Sequence, residues 1–177
     1  PNQSAVEAVA ARGIITGTGS GAFEPKGTLT RSQFAAIVVR GLGLPQGLSS
    51  PFTDVPAGSW FATYVGADYA YGIVNGRSPT VFDPNGVITR QEAAVMVARA
   101  AKLCGLDTQL DNAAVRDILS QFADYTSAGS CARPGLAFCY RQGILADSAL
   151  TSGPNVPTLR CEIAQMLYDL LGCANLL

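Results

Sequence analysis

Three stretches of the chain repeat one pattern of apolar and polar positions. Counted from Arg31, Arg90 and Arg160, positions +3, +6, +7 and +10 are Phe34, Ile37, Val38 and Gly41, then Ala93, Met96, Val97 and Ala100, then Ile163, Met166, Leu167 and Leu170. Steps of three and four residues trace one face of a helix. The same face used three times predicts three helices in equivalent surroundings. Gly43, Gly105 and Gly172 follow at distances that suit helix stops. Ahead of each Arg the pattern predicts an earlier helix, over about 4–12, 59–71 and 131–142, ending at a Gly-Ile step: Gly13-Ile14, Gly72-Ile73 and Gly143-Ile144. The loop between the two helices, with Pro and Gly at fixed offsets, reads as a turn or one short extended strand. A further helix is predicted over 112–122.

The periodicity comes with self-similarity in the sequence. GIITGTGSGAFEPKGTLTR at 13–31 and GIVNGRSPTVFDPNGVITR at 72–90 align without a gap over nineteen positions, eight of them identical. A weaker third copy, GILADSALTSGPNVPTLR at 143–160, is one residue shorter, with Ser152 for the loop Phe and Leu159 for the Thr before Arg. The lead-in FTDVPAGSW at 52–60 resembles FADYTSAGSC at 122–131 with one insertion, so Cys131 stands where Trp60 stands. The first copy has no such lead-in. Three units follow, 1–46, 47–110 and 111–177, divided by LGLPQGLSSP at 42–51 and by a polar connection at 106–111. Units of this size do not bury a helical face alone, so together they should form one domain.

Composition narrows what such a domain can do. Apolar residues fill 48% of the 177 positions and charged residues 14%, which excludes disorder. The longest uncharged apolar runs fall short of the roughly 18 residues that span a bilayer, so no membrane insertion is expected. A net charge of −1 lacks the basic footprint of a nucleic-acid binder. With no histidine, Ser-His-Asp and Cys-His catalysis and His-ligated zinc are excluded. The five cysteines, Cys104, Cys131, Cys139, Cys161 and Cys173, show no C-x-x-C spacing, which argues against a metal knuckle or a redox pair. Cys104 and Cys173 fall 14 and 13 residues after their Arg and are a candidate bridge. DPNG at 83–86 lacks the ladder of a calcium loop. Neither a metal nor a cofactor is expected. The opening at Pro1, without methionine or signal peptide, reads as a mature or excised segment.

Of the 12 basic residues ten are Arg, which reflects either codon usage or a need for the bidentate grip on carboxylate and phosphate. Three of them draw attention by position. Thr30 with Gln33 and Thr89 with Glu92 have capping-box spacing. In the third copy Thr158 with a shifted start could replace the lost Thr. The Arg beside each cap sits at the first helical position, where the helix dipole disfavours a cation. Breaking that rule three times points to a role: an anion site made by guanidinium and free helix N–H groups, or a pairing with a buried acid such as Asp54 or Asp124. The glycine segments at 15–21 and 74–79 lack the rest of a phosphate-loop motif, and tight turns explain them as well. Trp60 is either core or a surface on which a sugar ring stacks.

These residues resemble a known family. FTDVPAGSW followed by GIVNGRSPTVFDPNGVITRQEAAVMVAR at 72–99 is similar to an S-layer homology (SLH) repeat, whose hallmarks are the Gly-Ile step, an F-x-P loop and a TRAE-like helix start. That start appears as TRSQ at 30–33, TRQE at 89–92 and LRCE at 159–162. The resemblance covers nearly the whole chain as three repeats, the third degenerate. It implies a mainly α fold: three helix-loop-helix repeats in one pseudo-threefold domain around a central helical bundle, with grooves between the repeats. It also implies a non-enzymatic extracellular anchor at the bacterial cell wall or surface layer. The partner would be an anionic secondary cell-wall polysaccharide, pyruvylated in many species and otherwise modified in others, associated with peptidoglycan. Carried over residue by residue, Arg31, Arg90 and Arg160 would bind the acidic group, and Thr16, Gly17, Asn75, Gly76 and Trp60 would line the grooves. Two other readings stay open: a carbohydrate-active enzyme with two carboxylates about 5–10 Å apart, and an assembly module whose grooves accept a protein.

Overall fold

The computed structural model describes residues 2–17, 21–146 and 150–177. Outside the described residues lie Pro1, positions 18–20 of the glycine segment, and positions 147–149 of the third copy. Seven α-helices carry the described fold: α1 (Gln3–Ala11), α2 (Arg31–Leu42), α3 (Ala62–Ala70), α4 (Arg90–Leu103), α5 (Asn112–Leu119), α6 (Arg133–Arg141) and α7 (Arg160–Cys173). Among the described residues β pairing is confined to isolated bridges, among them Thr28 with Leu159, Thr30 with Val87 and Thr89 with Pro157. The fold is mainly α, built from repeated helix-loop-helix units.

Helices α2, α4 and α7 begin at the three arginines. The Thr30 hydroxyl accepts from the Gln33 N–H at 3.2 Å and Gln33 Oε1 accepts from the Thr30 N–H at 2.9 Å, a complete capping box. In α4 a single Glu92 oxygen accepts both the N–H and the hydroxyl of Thr89, each at 2.9 Å. In α7 Glu162 still accepts the Leu159 N–H at 2.8 Å. The expected cap from Thr158 does not form. Thr158 is fully buried at the position of the core residues Leu29 and Ile88, its hydroxyl unpartnered.

Helices α1, α3 and α6 all end in one hydrogen-bonded turn. The N–H groups of Gly13, Gly72 and Gly143 reach the carbonyls of Ala10, Tyr69 and Tyr140, and those of Ile14, Ile73 and Ile144 reach Val9, Asp68 and Cys139. This is the Schellman motif, with glycine φ values of 67°, 74° and 71° that a side chain would strain. Each turn drops its isoleucine into the core. Helices α3, α5 and α6 prove shorter than periodicity predicted, because their first or last turn is non-helical. Gly43 caps α2 and Gly105 follows α4, but Gly172 lies inside α7 and the left-handed residue beyond that helix is Asn175, at φ 56°. All five cysteines are free thiols, so the candidate bridge between Cys104 and Cys173 is not formed.

The packing is cyclic. Helix α3 lies against α2, α6 against α4 and α1 against α7, so the first helix of each copy covers the second helix of the copy before it. Helices α2, α4 and α7 meet in the centre, where Phe34, Val38, Val97, Ile163 and Leu167 are wholly buried. Helix α5 covers α6 from outside.

One core position breaks the apolar pattern. Val9, Asp68 and Cys139 stand at equivalent places, four residues before their glycine, and each is fully buried. Neither carboxyl oxygen of Asp68 has a hydrogen-bond partner, and burial holds its pKa well above the ordinary carboxylate range. Burial therefore favours the protonated form in the folded chain, whereas the unfolded chain ionises it near pH ~4, so stability falls as pH rises from there toward the raised value. Asp68→Val, which copies the residue of α1, should stabilise the domain by about 1–3 kcal/mol at pH 7, the desolvation cost of an unpaired buried polar group. Urea melts at several pH values check this, and the gain should shrink toward pH ~3.

Candidate ligand-binding grooves

Each motif arginine reaches out of its own copy. The N–H groups of Arg31 and Ser32 donate to the carbonyls of Gly86 and Pro84, at 2.9 and 3.1 Å. Arg90 and Gln91 do the same to Val156 and Pro154, at 3.0 and 2.9 Å, and Arg160 and Cys161 to Gly27 and Pro25, at 2.8 and 3.1 Å. The first two N–H groups of all three helices are thus occupied by the loop of another copy, and an anion site built on free helix N–H groups is not available there.

The side chains take the same direction. Arg31 Nε donates to the Phe82 carbonyl at 2.8 Å, its guanidinium lies 4.9 Å from the Phe82 ring centre, and Nη1 pairs with Glu92 at 2.9 Å. Arg160 Nε donates to Phe23 and Nη2 to Thr16, both at 2.7 Å, again with the phenyl ring at 4.9 Å. Arg90 reaches the Ser152 carbonyl at 3.2 Å and Glu162 at 2.8 Å, with no ring beneath it. Asp54 and Asp124 are not the partners of these arginines. Asp54 accepts the amides of Phe82 and Asp83 at 2.9 and 2.7 Å, and Asp124 those of Ser152 and Gly153 at 2.7 and 2.9 Å. Burial pushes the Asp124 carboxyl up, but these bonds and the Ser152 hydroxyl outweigh it and hold it below the ordinary range.

Two equivalent grooves open beside this interlock. Along α2, a cavity of about 390 Å³ is lined by Thr16, Gly17, Gln33, Arg40, Trp60 and Arg160. Four of the residues singled out by sequence, from all three copies, meet here. Trp60 is 56% exposed, so it is not core, and Arg40 lies 5.0 Å from the Tyr64 ring centre. Along α4, a cavity of about 400 Å³ gathers Arg31, Asn75, Gly76, Arg77, Glu92 and Arg99, with Cys131 in the place of Trp60.

The grooves differ in charge. In the α4 groove Glu92 accepts from Arg31 at 2.9 Å and Arg77 at 3.2 Å, whereas in the α2 groove its counterpart is the neutral Gln33. Arg90 lines none of the described cavities. Beside it along α7 Asp169 occupies the position of Arg40 and Arg99, nine residues after the motif arginine. Sequence reasoning missed Arg40, Arg77 and Arg99. The recurrence of Arg at +9 in two copies was the available signal, and it looks like an ordinary solvated position on the helix.

A ring of three helical units with cation-lined clefts between them defines a binding module. Among the described residues no group of three or more His, Cys, Asp or Glu side chains could hold a metal ion. The family model for the S-layer homology domain matches residues 1–35 and 51–94, so an S-layer homology domain is present across residues 1–94, with a third helical unit following it. The chain is 30% identical over 166 residues to a surface-layer 125 kDa protein of Lysinibacillus sphaericus, covering 92% of the chain and 13% of that protein. It is 31% identical over 140 residues to the middle cell wall protein of Brevibacillus brevis, 76% of the chain and 13% of that protein. It is 30% identical over 168 residues to an amylopullulanase of Thermoanaerobacterium thermosulfurigenes, 94% of the chain and 9% of that protein. The chain thus spans 9–13% of these relatives. S-layer homology domains are non-catalytic anchoring modules, and the family match together with the surface-layer and cell-wall relatives supports a general cell-wall-anchoring role outside the cell, at the wall or surface layer.

The interlock and the groove walls should separate by mutation. Arg31→Ala leaves the Phe82 carbonyl without its buried donor and Glu92 with Arg77 as its remaining cation, and should cost about 1–3 kcal/mol. Arg40→Gln and Trp60→Ala, on exposed positions, should stay within about 0.5–1 kcal/mol of wild type. Denaturant melts of the three variants read the difference directly.

Proposed function

We propose that the chain anchors a bacterial surface protein to the cell wall without a covalent bond, by binding an anionic secondary cell-wall polysaccharide in the grooves along α2 and α4. The units 1–46, 47–110 and 111–177 act as one domain in this reading. The observation that carries it is the α2 groove, where Arg40 and Arg160 line one cavity with Trp60 and the Thr16–Gly17 backbone, and no carboxylate is among the lining residues. Two guanidinium groups suit a carboxylate, which accepts parallel hydrogen bonds, and a half-exposed indole suits the face of a sugar ring. A pyruvate ketal on a hexose combines those two features. Arg31 with Asn75–Gly76 plays the corresponding part along α4. Arg90, paired with Glu162 and facing the helix that carries Asp169, is assigned to the interlock in place of the ligand.

Co-sedimentation with purified sacculi, before and after acid extraction of the accessory polymer, tests this. Wild type should pellet with intact sacculi and stay in solution with extracted ones, and Arg40→Gln and Trp60→Ala should each weaken binding about tenfold, the ~1.4 kcal/mol of one good contact. A soluble pyruvylated hexoside should change the fluorescence of Trp60, the one tryptophan of the chain. Retention on extracted sacculi, or binding unchanged in both variants, would overturn the reading.

A further inference from the structure

The groove along α4 does not end where the one along α2 does. At Val95, Arg99 and Cys131 its cavity of about 400 Å³ adjoins a second of about 130 Å³ that reaches Lys102 and Thr108. Arg99 and Lys102 border a third, of about 540 Å³, beside Tyr71 and Leu103. Glu92, Val95, Arg99 and Lys102 follow at steps of three, four and three, which keeps them on one helix face. From Glu92 to Lys102 the trench therefore runs about 15 Å, at ~1.5 Å rise per residue.

Its charges are spread along that length. Arg31 and Arg77 stand at one end, Arg99 in the middle and Lys102 at the other, and Glu92, already paired with Arg31 and Arg77, is the one carboxylate among the lining residues. Along α2 the described residues show no such continuation: Gly43 stands where Lys102 stands, and the α2 cavity shares no lining residue with another described one.

We propose that the trench along α4 is an extended polyanion site that takes an internal run of several acidic sugars, whereas the α2 groove takes a single acidic unit. The inference rests on the reading of both grooves as anion sites and adds a division of labour between them. Cations spaced along a trench hold a chain whose charges repeat, and each further charge binds at the high local concentration set by its neighbours. Affinity should therefore rise with chain length until the trench is filled, and should fall with salt more steeply than at the α2 groove.

The two grooves carry natural reporters, the exposed thiol of Cys131 along α4 and Trp60 along α2. Galacturonic acid oligomers of one to six units serve as the probe on the whole chain. Protection of Cys131 from iodoacetamide, followed by peptide mass spectrometry, should tighten at least tenfold from monomer to hexamer, while the half-saturation of the Trp60 fluorescence change moves less than threefold. Arg99→Gln combined with Lys102→Gln should flatten the length dependence at Cys131 and leave the Trp60 response in place, with a thermal melt showing that the variant is folded. A wild type whose Cys131 protection ignores length, or a double variant that keeps the full dependence, overturns the trench and leaves the groove reading standing on Trp60 and the sacculi. Silence at both reporters together with failure to bind sacculi overturns both.

Discussion

The hydrogen bond from each motif arginine's backbone to a loop carbonyl of another copy is the constraint on which the rest of this structure depends. It closes a ring, because Arg31 reaches the second copy, Arg90 the third and Arg160 the first. A unit of this size cannot bury one helical face by itself, and the ring supplies each unit with two neighbours. The same bond resolves the electrostatic puzzle at the helix starts. A cation at the first helical position opposes the helix dipole, but each of these guanidiniums points away into another loop, where it donates to a backbone carbonyl, in two cases over a phenyl ring.

Interlock and groove share one geometry, so a structural and a binding role for these arginines are not alternatives. Arg160 donates to the Thr16 carbonyl, and in doing so it fixes the Thr16–Gly17 backbone as one side of the cavity that Trp60 and Arg40 complete. Arg31 likewise holds the Phe82 loop and, through Glu92, the start of α4. A groove whose walls are hydrogen-bonded across copies is organised before any ligand arrives, which lowers the ordering cost of binding.

The local pattern revealed what is local. Helical steps of three and four residues located the faces of α2, α4 and α7, capping-box spacing located the first residues of α2 and α4, and the Gly-Ile steps located the turns after α1, α3 and α6. What failed depended on contacts distant in sequence. Thr158 looks like a cap from its neighbours alone, yet the ring places it in the core position of Leu29 and Ile88. The helix N–H groups look free until the loop of another copy is brought to them. The cleft residues Arg40 and Arg99 are half-exposed or exposed positions on helix surfaces, and no periodicity distinguishes such a position from one that faces a groove.

This division also indicates where function is written in the three copies. The motif arginine persists in all three because ring closure uses it each time, so its presence says little about which cleft binds. Positions that the backbone bonds of the ring do not fix diverge: nine residues after the arginine stand Arg40, Arg99 and Asp169, and at the third helical position, which pairs with a motif arginine in two copies, stand Gln33, Glu92 and Glu162. The α2 cleft combines two guanidiniums with a neutral amide, the α4 cleft sets three guanidiniums against one carboxylate, and the α7 side sets one guanidinium against two carboxylates. Fields of opposite sign on one scaffold follow from a few such positions, while the backbone bonds that close the ring are the same in every copy. Under the proposed function, anion affinity is set by the variable +9 and third helical positions acting on a shared frame.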